Sequence, residues 1–175
     1  AVREISEKER RPRRVLCSNL PYNAATPLLA NIAVDDQQIG ISEAIATIQL
    51  EMAQRMMAVP GDSNYGALSA LMALRAEGKI IRRVGGEVFW PRPQVDSAVI
   101  RLEFKPWDER SGLRRDEAGG FQAFLQKLFS QRRKMIRAVL KPLNIPENLP
   151  INPDARAEDL SPGQLLALFR ATATR

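Results

Sequence analysis

Residues 15–26 read VLCSNLPYNAAT, and the division of this stretch into strand, loop and helix decides the fold. VLCSN is a short apolar run ending in polar residues, the pattern of a strand buried on both faces of a parallel sheet. Asn and Pro mark NLPYNAAT as a loop. Thr26-Pro27 then reads as N-cap and first helical position of a helix reaching Ile32, with Leu28, Leu29 and Ile32 inward. Outward from there, residues 43–49 (EAIATIQ) read as a second buried strand, followed by LEMAQRMMAV as a helix stopped at Pro60-Gly61. NYGALSALMALRAEG reads as a third helix closed by Gly78. KIIRRV and VDSAVIRLEF are strands, separated by Gly85-Gly86 and the proline-rich FWPRP. The order strand–helix–strand–helix–helix–strand–strand predicts an α/β sheet that begins parallel and ends in an antiparallel pair at its edge.

Beyond Phe104, Pro106, Gly112, Gly119 and Gly120 lie among charged residues and read as a linker. The rest is helical by pattern: 121–141, a Pro/Asn-rich break, and a last helix over SPGQLLALFRATA with Ser161-Pro162 as its start signal. Two units are therefore expected, 1–110 and 111–175. A doubly wound domain normally opens with its own first strand and a glycine-rich turn. Here a charged segment leads directly into a middle-type strand, and Gly85-Gly86 lies between two strands with no helix after it, so it is no phosphate loop. The expected architecture is the C-terminal half of a doubly wound sheet followed by a small all-helical domain. VLCSN would then have an unpaired edge, a route to self-association.

Composition narrows the chemistry. The 175 residues are 45% apolar and 26% charged, as in soluble globular proteins. No run suits a membrane span and no secretory segment opens the chain, which points to the cytoplasm. Cys17 is the only cysteine and histidine is absent, which removes His-dependent triads and thiolate or imidazole metal sites. The net charge of +6 is matched by residues 121–141 alone, where Lys127, Arg132, Arg133, Lys134, Arg137 and Lys141 meet no acid. Phe121, Phe124, Leu125, Leu128 and Phe129 form an apolar stripe at helical spacing. On a continuing helix Arg133, Arg137 and Lys141 fall four apart on another face. With no acids to form i,i+4 pairs, that ridge is expected to bind phosphate.

Asn19-Leu20-Pro21-Tyr22 stands at the C-terminal end of the first strand, where open α/β sheets place ligands. Proline restricts the backbone and so aims the Leu20 carbonyl. The Asn19 amide offers a second acceptor and Tyr22 a flat ring. Together they suit a planar heterocycle bearing an NH2 group.

Five motifs extend this local pattern along nearly the whole chain. NLPYN, IQLEMAQRMMAVPGDSNYGALS, VFWPRPQVDSAVIRL, LFSQRRKMIRAVL and RAEDLSPGQLLAL resemble, in order, the signatures of the rRNA adenine dimethylases of the KsgA type. The resemblance implies a Rossmann-like methyltransferase sheet and transfer of methyl groups from S-adenosylmethionine to the N6 amines of two adjacent adenosines. It places the target near the 3′ end of small-subunit (16S) rRNA, with the 30S subunit as partner. The last two motifs favour these enzymes over the relatives that methylate large-subunit rRNA and confer macrolide resistance. By the same resemblance Asn19 and Leu20 would accept the amine's hydrogen bonds, with Pro21 fixing the turn. Tyr22 and Phe89 would sandwich the extruded base. Arg132, Arg133, Lys134, Arg137 and Lys141 would hold phosphates.

Trp90 departs from the commoner residues at its position and receives no role. Glu51 and Arg55 read as an intrahelical pair, and Asp96 as a structural hydrogen bonder. Of the family's cofactor contacts only Asn19 is present, so the site for S-adenosylmethionine is expected to be incomplete and the fragment inactive alone. The alternative is a non-catalytic rRNA-binding module or ribosome assembly factor.

Overall fold

A computed structural model describes residues 13–34, 39–107, 112–140, 149 and 151–173. Strand β1 (Arg14–Asn19) leads into helix α1 (Tyr22–Val34), strand β2 (Ile41–Gln49) and helix α2 (Leu50–Met56). Helix α3 (Ala67–Arg75) and strands β3 (Ala76–Val84) and β4 (Ser97–Phe104) complete the α/β part. Helices α4 (Arg115–Phe129), α5 (Ile136–Val139) and α6 (Pro162–Ala173) follow.

The sheet has the order β1-β2-β4-β3, with β1 parallel to β2 and β4 antiparallel to both its neighbours. The predicted order of elements and the antiparallel pair at the edge are both present, with β4 inserted between β2 and β3. Helices cover one sheet face. Ala44, Ala46 and Ile48 of β2 and Ala98, Ile100, Leu102 and Phe104 of β4 point to that side and are buried against Leu29, Ile32, Ala33, Leu71 and Met72. The other face carries Val15, Cys17 and Asn19, then Glu43, Ile45 and Thr47, in the alternation that strand pleating imposes. Val15 is 47% exposed, so β1 is not the doubly buried strand that its apolar run suggests. Its outer edge pairs with no strand among the described residues.

Several boundaries move for identifiable reasons. Helix α1 starts at Tyr22 rather than after Thr26, because the Pro21 carbonyl accepts from the amides of Ala24 and Ala25, each at 3.0 Å, and so founds the first turn earlier. Pro27 then lies inside the helix. Helix α2 ends at Met56, before Pro60, in a turn where the Asp62 carboxylate accepts from Val59 N–H at 3.0 Å. Helix α3 passes directly into β3, and Gly78 is a strand residue rather than a helix cap. A Cβ there would lie 2.9 Å from Leu102 Cδ2, so glycine lets the β3 backbone approach β4's core side chain.

The helical part joins the same apolar core. Phe121 and Phe124 of α4 meet the Phe169 ring of α6 at centroid distances of 5.5 and 5.6 Å. Gly119 and Gly120, expected in a linker, belong to α4, and Gly120 allows Phe169 this approach. Ser161 caps α6 as its sequence predicts: its Oγ accepts from Gln164 N–H at 3.2 Å, while Gln164 Oε1 accepts from Ser161 N–H at 2.9 Å. Arg75 is buried, donating to the carbonyls of Ala33 at 2.9 Å and Lys105 at 2.8 Å, with its guanidinium 3.5 Å from the Trp107 ring centre.

The expected helix over 121–141 is broken. α4 stops at Phe129, a turn follows, and α5 is a separate short helix. Arg133 and Arg137 therefore do not lie on one continuing helix, and Lys141 lies outside the described residues. The acids missing from the local sequence are supplied from elsewhere. Arg132 pairs with Glu158 and also donates to the Ser63 carbonyl at 2.8 Å, and Arg137 pairs with Asp154 at 2.9 Å. Arg133 and Lys134 stay exposed, with no ion pair among the described residues.

Candidate active site

The turn after β1 and the loop between β3 and β4 face each other across a shallow cavity of about 330 Å³. Asn19, Leu20, Pro21 and Tyr22 form one wall, and Phe89, Trp90, Pro91 and Pro93 the other. The five pocket residues singled out from sequence, four consecutive and the fifth 67 positions after Tyr22, thus share one site.

Each wall is held by backbone contacts. Leu20 N–H donates to the Thr47 carbonyl at 3.1 Å, extending the β1–β2 pairing one residue past the strand. Pro21 turns the chain and its carbonyl is consumed by the first turn of α1. No donor among the described residues takes the Leu20 carbonyl or the Asn19 side chain. Tyr22 is half-buried, and its hydroxyl shares a 2.7 Å hydrogen bond with Ser97 Oγ. Ser97 is fully buried at the start of β4. Sequence reasoning missed this anchor, although Ser97 stands within the VDSAV motif. Asp96 contributes its backbone carbonyl, which accepts from Leu50 N–H at 2.9 Å. Glu51 and Arg55 form the expected i,i+4 pair at 2.6 Å.

Among the described residues the cavity wall contains no carboxylate, thiol or cation. It can exchange hydrogen bonds through amide, hydroxyl, indole and backbone groups and present aromatic faces. That excludes a general base of ordinary strength from the wall and suits a reaction that needs orientation of a weakly basic N–H group. The turn after β1 carries Pro21 where a phosphate-binding turn would carry glycine.

Elsewhere the electrostatics are structural. Arg101 and Arg13 hold the buried Glu43 carboxyl below its usual range, the hydrogen bond from Arg101 contributing most. Arg170 does the same for Glu117, aided by the Arg114 backbone amide. Burial pushes the Tyr65 hydroxyl well above the usual phenol range. It donates to the Leu160 carbonyl at 3.0 Å and ties the loop before α3 to the helical part. Exposed cations that the sequence reading passed over lie on both faces of β3 and beyond it. Lys79, Arg82, Arg83 and Arg92 are all exposed and form no ion pair among the described residues.

Comparison with known proteins identifies the family and the fold. The sequence model of the ribosomal RNA adenine dimethylase family matches residues 4–174. A probable ribosomal RNA small subunit methyltransferase A of Thermococcus kodakarensis is 38% identical over 126 residues, covering 72% of this chain and 41% of that protein. The ribosomal RNA small subunit methyltransferase A of Gloeobacter violaceus is 37% identical over 159 residues, covering 86% of this chain and 57% of that protein. The chain thus spans about half the length of the curated relatives it matches. Among solved structures, a dimethyladenosine transferase from Plasmodium falciparum superposes with a TM-score of 0.71 at 25% identity, covering 93% of this chain and 68% of that one. The 23S rRNA methyltransferase ErmE shares the fold, with a TM-score of 0.63 at 20% identity and cover of 94% and 68%. The sheet is therefore of the Rossmann-like methyltransferase type, and the chain belongs to the ribosomal RNA adenine dimethylase family.

Proposed function

We propose that these residues form the target-base side of an enzyme that dimethylates the N6 amines of two adjacent adenosines near the 3′ end of small-subunit rRNA. The observation that carries this reading is the pairing of two unclaimed acceptors, the Asn19 amide and the Leu20 carbonyl, with two aromatic rings, Tyr22 and Phe89, around one cavity.

The acceptors supply what adenine lacks. Its N6 lone pair is delocalised into the ring, so the amine is a poor nucleophile. Hydrogen bonds from both N–H groups to Asn19 and Leu20 favour a pyramidal nitrogen whose lone pair is directed out of the ring plane. They also stabilise the positive charge that develops as the N–C bond forms. S-adenosylmethionine, when bound, supplies an electrophilic methyl group on a sulfonium. The methylated nitrogen is acidic and releases its proton to water, which is why the wall needs no base. A neutral acceptor serves a second round as well, when only one N–H remains. Stacking on Tyr22 and Phe89 replaces the base's lost neighbours and contributes about 1–3 kcal/mol per ring.

Asn19 is proposed to meet the cofactor, and the remainder of its site is proposed to lie outside these residues. Exposed Arg133 and Lys134 are proposed to hold rRNA phosphates without reading sequence. The test is mass-spectrometric mapping of rRNA from small subunits lacking the modification, incubated with the protein and S-adenosylmethionine. Two adjacent N6,N6-dimethyladenosines near the 3′ end support the reading. Binding to the rRNA without any methylation, by the protein supplied with every segment its gene encodes, favours the non-catalytic binding module instead.

A further inference from the structure

Trp90 follows Phe89 in the wall of the cavity and is 98% exposed. An indole is among the side chains most covered in folded proteins, so one left in water at the mouth of a pocket stands out. Its loop is held in place. Phe89 N–H donates to the Gly86 carbonyl at 3.3 Å, and a Cβ on buried Gly86 would lie 3.0 Å from the Pro93 carbonyl. Pro91 and Pro93 restrict the backbone on either side of Arg92. Val88 and Val95 of the same loop are 65% and 39% exposed. The loop carries Arg92 together with Glu87 and Asp96, and Arg82 and Arg83 lie at the end of β3 that enters it, on opposite faces of the sheet. Arg82 also faces the same side of the sheet as Asn19 and stands in the same cross-strand row through Val99 and Thr47. Three strand spacings separate them, about 14 Å.

We propose that Trp90 is the stacking platform for the nucleobase flanking the target adenosine, with Arg82 and Arg92 on the adjoining phosphates. This rests on the reading of the Asn19–Tyr22 cavity as the adenine pocket. Extrusion of one base unstacks its neighbour and leaves that neighbour's face bare. An exposed indole next to the pocket restores a stack without selecting among bases, and guanidiniums balance the backbone charge. An exposed indole near arginines that form no ion pair among the described residues matches a polyanion carrying flat rings better than it matches a protein surface.

The chain has two tryptophans, and Trp107 is covered by Arg75, so Trp107→Phe leaves Trp90 as the single reporter. The probe is a short single-stranded RNA with two adjacent adenosines, together with versions abasic at either flank or at the target. Binding of the intact RNA is expected to quench Trp90 emission. An abasic site at one flank is expected to remove most of the quench and to weaken binding about tenfold, the worth of one base–aromatic stack. Trp90→Ala should weaken binding of the intact RNA by the same factor and abolish the dependence on that flank. An abasic target should weaken binding to the parent chain, and weaken it less in Tyr22→Ala, which keeps only the Phe89 face. Quenching that is indifferent to both flanks, or a Trp90→Ala chain that binds as tightly as its parent, overturns the proposal. So does the absence of any RNA-dependent quench, or quenching by ribosomal proteins in place of RNA. If the flank matters and the target base does not, the platform stands and the adenine-pocket reading falls.

Discussion

The Tyr22 hydroxyl is spent on Ser97 Oγ at 2.7 Å, which leaves the ring as the part of the side chain that can meet a ligand. Two substitutions separate these parts. Tyr22→Phe keeps the ring and removes a hydrogen bond worth about 1 kcal/mol, with buried Ser97 left short of a partner. It should lower the denaturation midpoint measured in urea while leaving the Michaelis constant for RNA within a few-fold. Tyr22→Ala should raise that constant about tenfold or more, because a stacking face is lost. Equal effects of the two variants on the Michaelis constant would argue against the ring as a base platform. Gly86→Ala addresses the opposite wall. The added Cβ meets the Pro93 carbonyl at 3.0 Å, so the loop must shift by a few tenths of an ångström. Methylation should fall, and the circular dichroism spectrum should stay that of the parent. The Asn19–Tyr22 turn was legible in the sequence because its residues are contiguous and proline limits its shape. Ser97 was not, because its contact spans 75 positions and no local pattern encodes it.

At the scale of elements, the 121–141 segment shows where periodicity misleads. Its apolar stripe is real through Phe129, and α4 buries Phe121, Leu125 and Leu128 as that spacing predicts. The helix does not continue because the next backbone donors find partners elsewhere. Ile136 N–H donates to the Ala155 carbonyl at 2.9 Å and Arg137 N–H to the Pro153 carbonyl at 3.0 Å, so the downstream segment competes successfully with the i−4 carbonyls. The four basic residues near the break thereby separate into two kinds. Arg132→Ala should destabilise the fold by loosening the loop before α3 from the turn after α4. Arg133→Ala should leave stability unchanged and reduce the slope of log affinity for RNA against log salt by about one. Between α4 and α6, the hydrogen bonds from Arg170 hold the Glu117 carboxyl below the ordinary glutamate value of 4.5. A carboxyl depressed by folding contributes stability fully above its unfolded value and loses that contribution as pH falls through the folded one. The urea midpoint should therefore hold near neutrality and drop below about pH 4.5. Glu117→Gln should lower the midpoint at pH 7 and make the acid decline shallower. An unchanged acid decline would show that this pairing carries no part of the pH dependence.

Among the described residues the molecule has helices on one sheet face, a second face of mixed apolar and polar residues, and its candidate site where β1 ends opposite the β3–β4 loop. The strand and helix order was readable because each apolar run has the length and bounding residues of its element. The strand order was not fully readable: β4's insertion between β2 and β3 follows from pairing, which local patterning does not specify. The apolar run of β1 suggested burial on both faces, and its position at the edge of the described sheet explains the exposure of Val15 instead. The charge distribution was readable in amount but not in effect, since Glu158 and Asp154 neutralise Arg132 and Arg137 from distant positions. The central claim is that Asn19 and Leu20 activate an adenine amine held between Tyr22 and Phe89. Its most direct test is the single-turnover rate of methyl transfer to unmodified small-subunit rRNA by the protein carrying these residues and by its Asn19→Ala variant, with RNA affinity measured alongside. The account predicts a loss of about 100-fold or more in rate with affinity nearly unchanged, as for removal of one group that stabilises a transition state. An Asn19→Ala protein that transfers methyl groups at the parent rate would contradict it.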